Sequence, residues 1–540
     1  MSGKVKKISF IIFCFIYFVP SGHTSNGDNK TKTMPPVQPE LFNAGKSSNR
    51  IDELVFAELR KRNTPPSELC ADEVFVRRVY LDAIGTLPNS SEVKDFLSNK
   101  SPDKRSKLID RLLARSEFSD YWSLKWCDLL RIKAEFPSNL WPNAVQAYHR
   151  WVRDSIRSNM PYDKFARRLL TSSGSNFREP PANFYRAFQE RAPRQIAENV
   201  ALVFMGVRLN TPAFTEEQTL GFSAFFAKIG YKNTDEWKEE IVFFNPDGKL
   251  VDPKTQKPVT PVTLDGKIFT IPSENDPRIA LADWLTAPDN PWFARNIANR
   301  IWSWLMGSGI VNEPDDMRPS NLAWNPELLS YLEKELVKNK YDSIHIYRLI
   351  LNSNTYQLSS KTNKWNGSDK DGFSHYRIRR IDAEPLIDAI CQVTGTGEKY
   401  TSSIPEPFTF RPGNLRTIAL ADGSIDSTFL EIFGRPPRNT SFESERSSAP
   451  SVTQAQHLLN SSHIQMKIEK SGAIKLLIAA KKGNAYIIEE LYLRILSRFP
   501  TEQEKNIAET YMSSQKRKLN DSVCDLAWAL INSKEFILRH

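Results

Sequence analysis

Two acidic clusters stand out as candidate reaction centres. The string NEPDDMRPSN sets Asp315 beside Asp316, with Glu313 and Arg318 close by, and FESER supplies Glu443, Glu445 and Arg446. Paired carboxylates coordinate a hard cation or divide the roles of general acid and general base. An acidic turn between helices also has a plainer use, capping backbone N–H groups or pairing with arginine. That use is the preferred reading of Asp315 and Asp316. Asn299 and Arg300, in ANRIW beside the bulky Trp302, are expected to form a buried anchor that ties the acidic turn down. Asp315, Asp316, Glu443, Glu445 and Arg446 are thus the catalytic candidates, and no residue is assigned to a cofactor or a metal.

Other chemistries find less support. The interior histidines are His149, His345, His375, His457 and His463. None pairs at a zinc-type spacing, and the six-residue gap between His457 and His463 spans a break between helices. No G-x-S-x-G elbow occurs, and no glycine-rich phosphate loop follows a strand. Beyond the first 22 residues the cysteines are Cys70, Cys127, Cys391 and Cys524, which form no CxxC and are expected to be buried free thiols. Trp122 and Trp126 lie four apart and share a helix face with Asp128 nearby. Such rings are usually core, although they also make sugar-binding platforms. Arg78 and Asp82 stand at i, i+4, and the adjacent arginines Arg77 and Arg78 are expected to fasten neighbouring helices.

A net charge of +10 falls to about +7 once Lys4, Lys6 and Lys7 are removed with a leader. The excess is spread thinly, and its densest run, Lys516-Arg517-Lys518, is too short to read as a nucleic-acid patch. Those three N-terminal lysines precede an apolar run from Ile8 to Val19 and then Pro20-Ser21-Gly22. The run is long enough for a signal peptide and short of the roughly 20 residues that span a bilayer. Export to the periplasm, cell envelope or medium is expected, with no stable membrane span after cleavage.

The candidate residues must be positioned by helices. Residues 23–48 are polar and aperiodic, a flexible leader. From Ile51 the apolar spacing is helical, with Asp72 as a possible cap and Gly85 as a stop for one helix. Within VFMGVRLNTPAFTEEQTLGFSAFF a short turn joins two buried helices, with Thr215 capping the second and Glu216 and Glu217 in its first turn. Near 241 the composition turns β-branched, with Pro-Asp-Gly, Asp-Pro and Asp-Gly punctuation. The expected fold is mainly α: two helical domains, 49–240 and 273–540, joined by a small β-rich segment at 241–272.

Several strings together resemble a known family. FVRRVYLDAIGTLPNSSEVKDFL, YWSLKWCDLL and ENVALVFMGVRL are similar to the planctomycete cytochrome-associated domain, domain of unknown function 1549. RIALADWLTAPDNPWFARNIANRIWSWLMGSGIVNEPDDMRPSN, YRLILNSNTYQLSS, RRIDAEPLIDAI and the segment around ERSSAPSVTQAQHLLN are similar to its companion, domain of unknown function 1553. The resemblance implies an exported protein linked to c-type cytochromes, and names no reaction. This chain departs from the family pattern twice. After GVRL the pattern continues with CxxCH and His-Pro-Phe, where this chain has Asn210-Thr211-Pro212-Ala213-Phe214. Before ERSS the pattern carries Cys-Glu-Cys, where this chain has Phe442-Glu443-Ser444. With no CxxCH anywhere, covalent haem attachment is not expected. The two departures read either as the loss of one shared redox or metal centre, or as unrelated losses or a lost disulfide.

Three functional readings stay open on these grounds. The preferred one is a haem-free binding or scaffolding protein acting with an envelope or extracellular partner. The alternatives are an extracellular enzyme acting on glycans through the carboxylates above, and a redox-associated partner of a separate cytochrome c. Candidate acids gathered at one open cleft beside tryptophan would favour the enzyme. Acids buried against Arg300, Arg318 or Arg446 would favour the scaffold.

Overall fold

Residues 47–405, 409, 415–514 and 518–540 are described by a computed structural model. The export segment, all but the end of the leader, and Lys516 and Arg517 of the basic run lie outside the described residues. The described chain is mainly α-helical with two small antiparallel sheets, as the apolar spacing predicts. Helix ends follow local chemistry. Asn49 caps Arg50–Lys61 by accepting from the N–H groups of Ile51 and Asp52. Thr215 and Gln218 form a reciprocal capping box on Glu216–Ser223, so the short joint before it is closed by its own sequence.

One cap is placed differently. Asp72 is the first residue of the Asp72–Ile84 helix rather than its cap. Its carboxylate instead holds Lys104 at 2.6 Å and Arg105 at 2.8 Å, two cations from the helix Lys104–Leu113. The stop at Gly85 is observed, with φ at +62°. A Cβ there would lie 2.6 Å from the Tyr121 ring, so both conformation and space require glycine.

The β segment begins earlier than its composition suggests. Strands Ile229–Asn233 and Glu240–Phe244 pair antiparallel with Tyr231 opposite Val242, and Gly174–Ser175 adds a short third strand on the other side of Glu240–Phe244. Farther along, only isolated bridges remain, Val251 with Pro258 and Val262 with Ile268, set among turns.

Helices from the two halves of the sequence pack on one another. Arg50–Lys61 lies against Pro326–Lys338, and Leu81 and Leu87 join a core built otherwise from residues beyond Ile381. Leu538–Arg539 returns to pair with Arg379–Arg380. Buried arginines fasten these joints. Arg77 donates to the carbonyls of Ile495 at 2.8 Å and Phe536 at 2.7 Å, and Arg78 to those of Tyr356 at 2.7 Å and Leu358 at 2.8 Å. The expected fastening role therefore holds for both. Asp82, one turn along, is held by other cations, Arg379 at 3.1 Å and Arg539 at 2.8 Å. Trp122 is core, its indole N–H donating to the Ala83 carbonyl at 3.0 Å.

Candidate functional site

Arg300 organises the centre of the molecule. The helix Pro193–Val200 runs into a π-helical turn, Ala201–Met205, which ends at Gly206 with φ at +65°. A π turn leaves carbonyls that the α ladder would have used. Arg300, on the helix Phe293–Met306, donates to the carbonyl of Val203 and, at 2.9 Å, to that of Leu202, which also accepts from the Gly206 N–H at 3.1 Å. Its Nη2 also holds Asp315 Oδ1 at 2.8 Å, with both side chains buried. Asn299, the neighbour of Arg300, exchanges two 2.9 Å hydrogen bonds with Val311. The expected anchor of the acidic turn is therefore present.

Gly206 is where this packing is tightest. A Cβ on it would stand 2.5 Å from Asn296 Oδ1 and 2.8 Å from the Pro314 carbonyl oxygen, in a left-handed backbone. Gly206→Ala should cost about 2–4 kcal/mol, adding conformational strain to overpacking. A urea midpoint within error of wild type would show that the turn relaxes instead.

Asp315 reaches the second acidic cluster. Its Oδ2 accepts from the Glu443 N–H at 2.7 Å. Glu443 opens a one-turn 3-10 helix, Glu443–Glu445, and its Oε1 accepts from the Trp304 indole N–H at 3.0 Å. Trp304 lies one helical turn beyond Arg300, so both side chains leave the same face of the Phe293–Met306 helix. Arg300 Nε stands 3.9 Å from Glu443 Oε1, and Glu443 Oε2 has no hydrogen-bond partner among the described residues.

A cavity of about 260 Å³ opens beside these groups, lined in part by Lys125, Trp304, Asp315, Arg379, Asp382 and Glu443. Lys125 comes from the helix Ser116–Leu129 and pairs with Asp382 at 2.8 Å. Asp382 sits at the N-terminus of the helix Ala383–Thr394, where the helix dipole suits a negative charge. Arg539, which also lines the cavity, approaches Asp382 at 3.5 Å.

Two of the lining carboxyls are displaced in opposite directions. Burial pushes Glu443 up to about 7, and the nearby Asp315 charge adds to the rise against the opposing pull of Arg300, Lys125 and the indole. Burial also acts to raise Asp382, but the charges of Lys125, Arg539 and Arg446 outweigh it and hold this carboxyl well below the ordinary range. One group therefore titrates close to neutrality while the other stays ionised.

The remaining candidates go elsewhere. Asp316 pairs with Arg318 at 3.2 Å, and Glu313 with Arg208 at 3.0 Å. Glu445 turns away to staple its own loop, accepting from the Thr440 N–H at 2.7 Å and hydroxyl at 2.6 Å. Arg446 lines the cavity but is spent on Asp128 and Glu384, both at 2.6 Å. Of the five catalytic candidates, Asp315, Glu443 and Arg446 thus meet at one cavity, and only Glu443 has an oxygen to spare. Sequence reasoning missed Lys125, Trp304, Arg379, Asp382 and Arg539. Only Trp304 carried a usable signal, its four-residue spacing from Arg300.

Arg208, two residues before the first departure from the family pattern, reaches the second departing segment and the acidic turn. The Arg208 guanidinium lies over the Phe442 ring at 5.0 Å, and its Nε donates to the Asp315 carbonyl at 3.2 Å. Among the described residues no three His, Cys, Asp or Glu side chains are grouped to hold a metal ion. His457 and His463, which the sequence reading separated by a helix break, do come together with ring centroids 5.9 Å apart. The four cysteines among the described residues are free; Cys70 and Cys127 are buried, and Cys391 and Cys524 are half-buried. Burial pushes the Cys127 thiol to about 12 and those of Cys391 and Cys524 to about 11, so all three stay protonated at neutral pH.

Comparison with known families bears on the whole of this region. Residues 50–211 match the family described as PSCyt2, protein of unknown function DUF1549, and residues 277–512 match PSD1, protein of unknown function DUF1553. The chain belongs to the DUF1549–DUF1553 family. No curated protein and no solved structure matches it. The cavity draws on both parts: Lys125 comes from the DUF1549 part, while Trp304, Asp315, Asp382 and Glu443 come from the DUF1553 part. Arg539 lies beyond the matched residues.

Proposed function

We propose that this DUF1549–DUF1553 protein is an exported enzyme that acts on a hydroxyl-rich extracellular polymer, with Glu443 as general acid and Asp382 as its ionised partner. The observation that carries the reading is the opposite displacement of two carboxyls lining one cavity, which is how acid and base roles are divided at neutral pH. At about 260 Å³ the cavity is near the lower end of ligand sites, which run roughly 300–1,000 Å³, and suits one sugar-sized unit rather than a length of chain. Trp304 fixes one oxygen of Glu443 and leaves the other to pass a proton to a leaving oxygen. Asp382, kept anionic by Lys125, is suited to activate water or to face positive charge developing on the substrate. Asp315 acts through Glu443 by holding its backbone, and is a positioning residue. The basic start and the apolar run from Ile8 to Val19 support export.

Release of reducing ends from a panel of extracellular polysaccharides, followed across pH, tests this. Activity should fall as pH climbs through about 7. Glu443→Gln should abolish it, while Glu445→Gln, a change at the loop staple, should leave it in place. Inertness toward the whole panel, or full activity in Glu443→Gln, would sink the reading.

A second reading, a non-catalytic binding or scaffolding protein, draws support from the internal pairing of Asp316, Glu445 and Arg446. It expects the panel to be bound without being cut, with affinity indifferent to Glu443→Gln.

A further inference from the structure

Among the described residues the charges around the Glu443 cavity do not cancel. Lys125, Arg379 and Arg539 line it and share only two carboxylates, Asp82 and Asp382. The other ionised groups at and behind the wall pair off. Arg300 takes Asp315, Arg208 takes Glu313, and Arg438 and Arg446 divide Asp128 and Glu384 between them. Arg380, the neighbour of Arg379, donates only to the carbonyls of Ile381, Phe433 and Ser447, so it brings a cation without an acid. Glu443 is the remaining acid at the wall, and a general acid is uncharged. At least one positive charge is then left without a counter-charge, a costly state for groups so far removed from water.

The spare donors point the same way. Lys125 is buried, and of the three N–H groups on its ammonium one is spent, on Asp382 at 2.8 Å. Arg379 is held through Nη2 alone, by Asp82 and by the carbonyls of Trp304 and Leu305. Ser303, Ser444 and Ser448 line the same space and offer hydroxyls to a sugar. A negatively charged oxygen on that sugar would gain charge-assisted hydrogen bonds and supply the missing counter-charge together. A neutral sugar would meet the serines and leave the charge unmatched, and an amino sugar would add to it.

We propose that the sugar unit taken by this cavity carries a single negative charge, a carboxylate or a sulfate ester, held by Lys125 and Arg379. This names the substrate class of the acid–base reading and rests on it for turnover, whereas binding of the anion needs no chemistry. The probes are D-glucuronate and D-glucose 6-sulfate, which separate the two sources of charge, with D-glucose as the neutral and D-glucosamine as the cationic counterpart. Binding to the full chain is followed by ligand-observed NMR and by the fluorescence of Trp304, which lines the cavity.

At pH 6 at least one of the two anions should bind saturably and about 10-fold or more tightly than glucose, and glucosamine should not bind. Lys125→Met, which keeps the length of the stem, should weaken anion binding about 10- to 100-fold, the worth of a hydrogen bond to a charged group. Glu443→Gln serves where that variant fails to fold. In the wild type the anion should be released as pH climbs through about 7, because ionised Glu443 then supplies the counter-charge itself. Asp315, Arg300, Lys125 and Tyr347 are the other ionisable groups that act on Glu443 or feel its charge. Glutamine cannot ionise, so Glu443→Gln should hold the anion equally well on both sides of that pH. Failure of both anions to bind, affinity no better than that of glucose, or preference for glucosamine overturns the proposal. So does unchanged affinity in Lys125→Met, and so does wild-type binding that is flat across pH 6–8. Cleavage of neutral polysaccharides alone would refute the anionic substrate and leave the acid–base reading standing. Anion binding as described, with no polysaccharide cut, would refute that reading and leave the binding site standing.

Discussion

Asp82→Asn is expected to destabilise the folded chain by about 3–5 kcal/mol, the usual cost of breaking a buried ion pair from one side. The Asp82 side chain is fully buried and accepts from four groups. These are Arg379 at 3.1 Å, Arg539 at 2.8 Å, and the hydroxyls of Tyr356 at 3.0 Å and Tyr376 at 2.8 Å. An amide of the same shape removes the charge that two guanidinium groups face and turns an acceptor into a donor. Some compensation remains, because Arg379 also donates to the Leu305 carbonyl at 2.8 Å and Arg539 to the Tyr121 hydroxyl at 3.1 Å. Urea unfolding at pH 7 measures the effect. A loss below about 1 kcal/mol would mean that Asp82 behaves as an ordinary surface carboxylate.

Glu443→Gln is expected to have the opposite sign, stabilising the protein at neutral and alkaline pH. Burial raises the Glu443 carboxyl from 4.5 to about 7 in the folded chain, with the Asp315 charge adding to it. Between those values the folded state holds a proton that the unfolded state has released, so wild-type stability falls as pH rises. Below 4.5 both states are protonated and nothing is lost; above about 7 the whole penalty is present. A shift of that size corresponds to about 3 kcal/mol. Glutamine stays neutral throughout, and its carbonyl oxygen can still accept from the Trp304 indole. The variant should therefore match wild type near pH 4, gain steadily through pH 5–7 and stay ahead above it. Thermal unfolding at a series of pH values reads this directly, and two parallel curves would place the proton elsewhere. Taken with loss of activity in the same variant, the result would identify a carboxyl kept at a cost to stability for its chemistry.

Much of the helical framework was legible because its apolar positions recur at helical spacing and its caps are local. Thr215 with Gln218 and the stop at Gly85 depend on residues a few positions apart, and sequence reasoning handles such distances. Asp72 went astray because its partners, Lys104 and Arg105, belong to another helix and compete for the oxygens a cap would use. The strand Ile229–Asn233 escaped notice because it is half-buried to exposed throughout, which removes the alternation that marks a strand. For the site, the sequence singled out Asp315 and Glu443 as acids but could not rank them above Asp316 and Glu445. What separates them is burial by elements more than a hundred residues apart, as the contact between Glu443 and Asp315 illustrates. Asp382 was hidden for the same reason, since Lys125 and Arg539 flank it from opposite ends of the chain.

The short pairing of Leu538–Arg539 with Arg379–Arg380 bears on how the molecule comes into being. Arg539 meets Asp82 across 457 positions of sequence, so that carboxylate acquires one of its two cations only through a contact very distant along the chain. Until then the helix Asp72–Ile84 carries a charge that it cannot bury without great cost. Closure around that helix is therefore tied to this long-range contact, and the two ends of the contact must find one another for the charge to be fully paired.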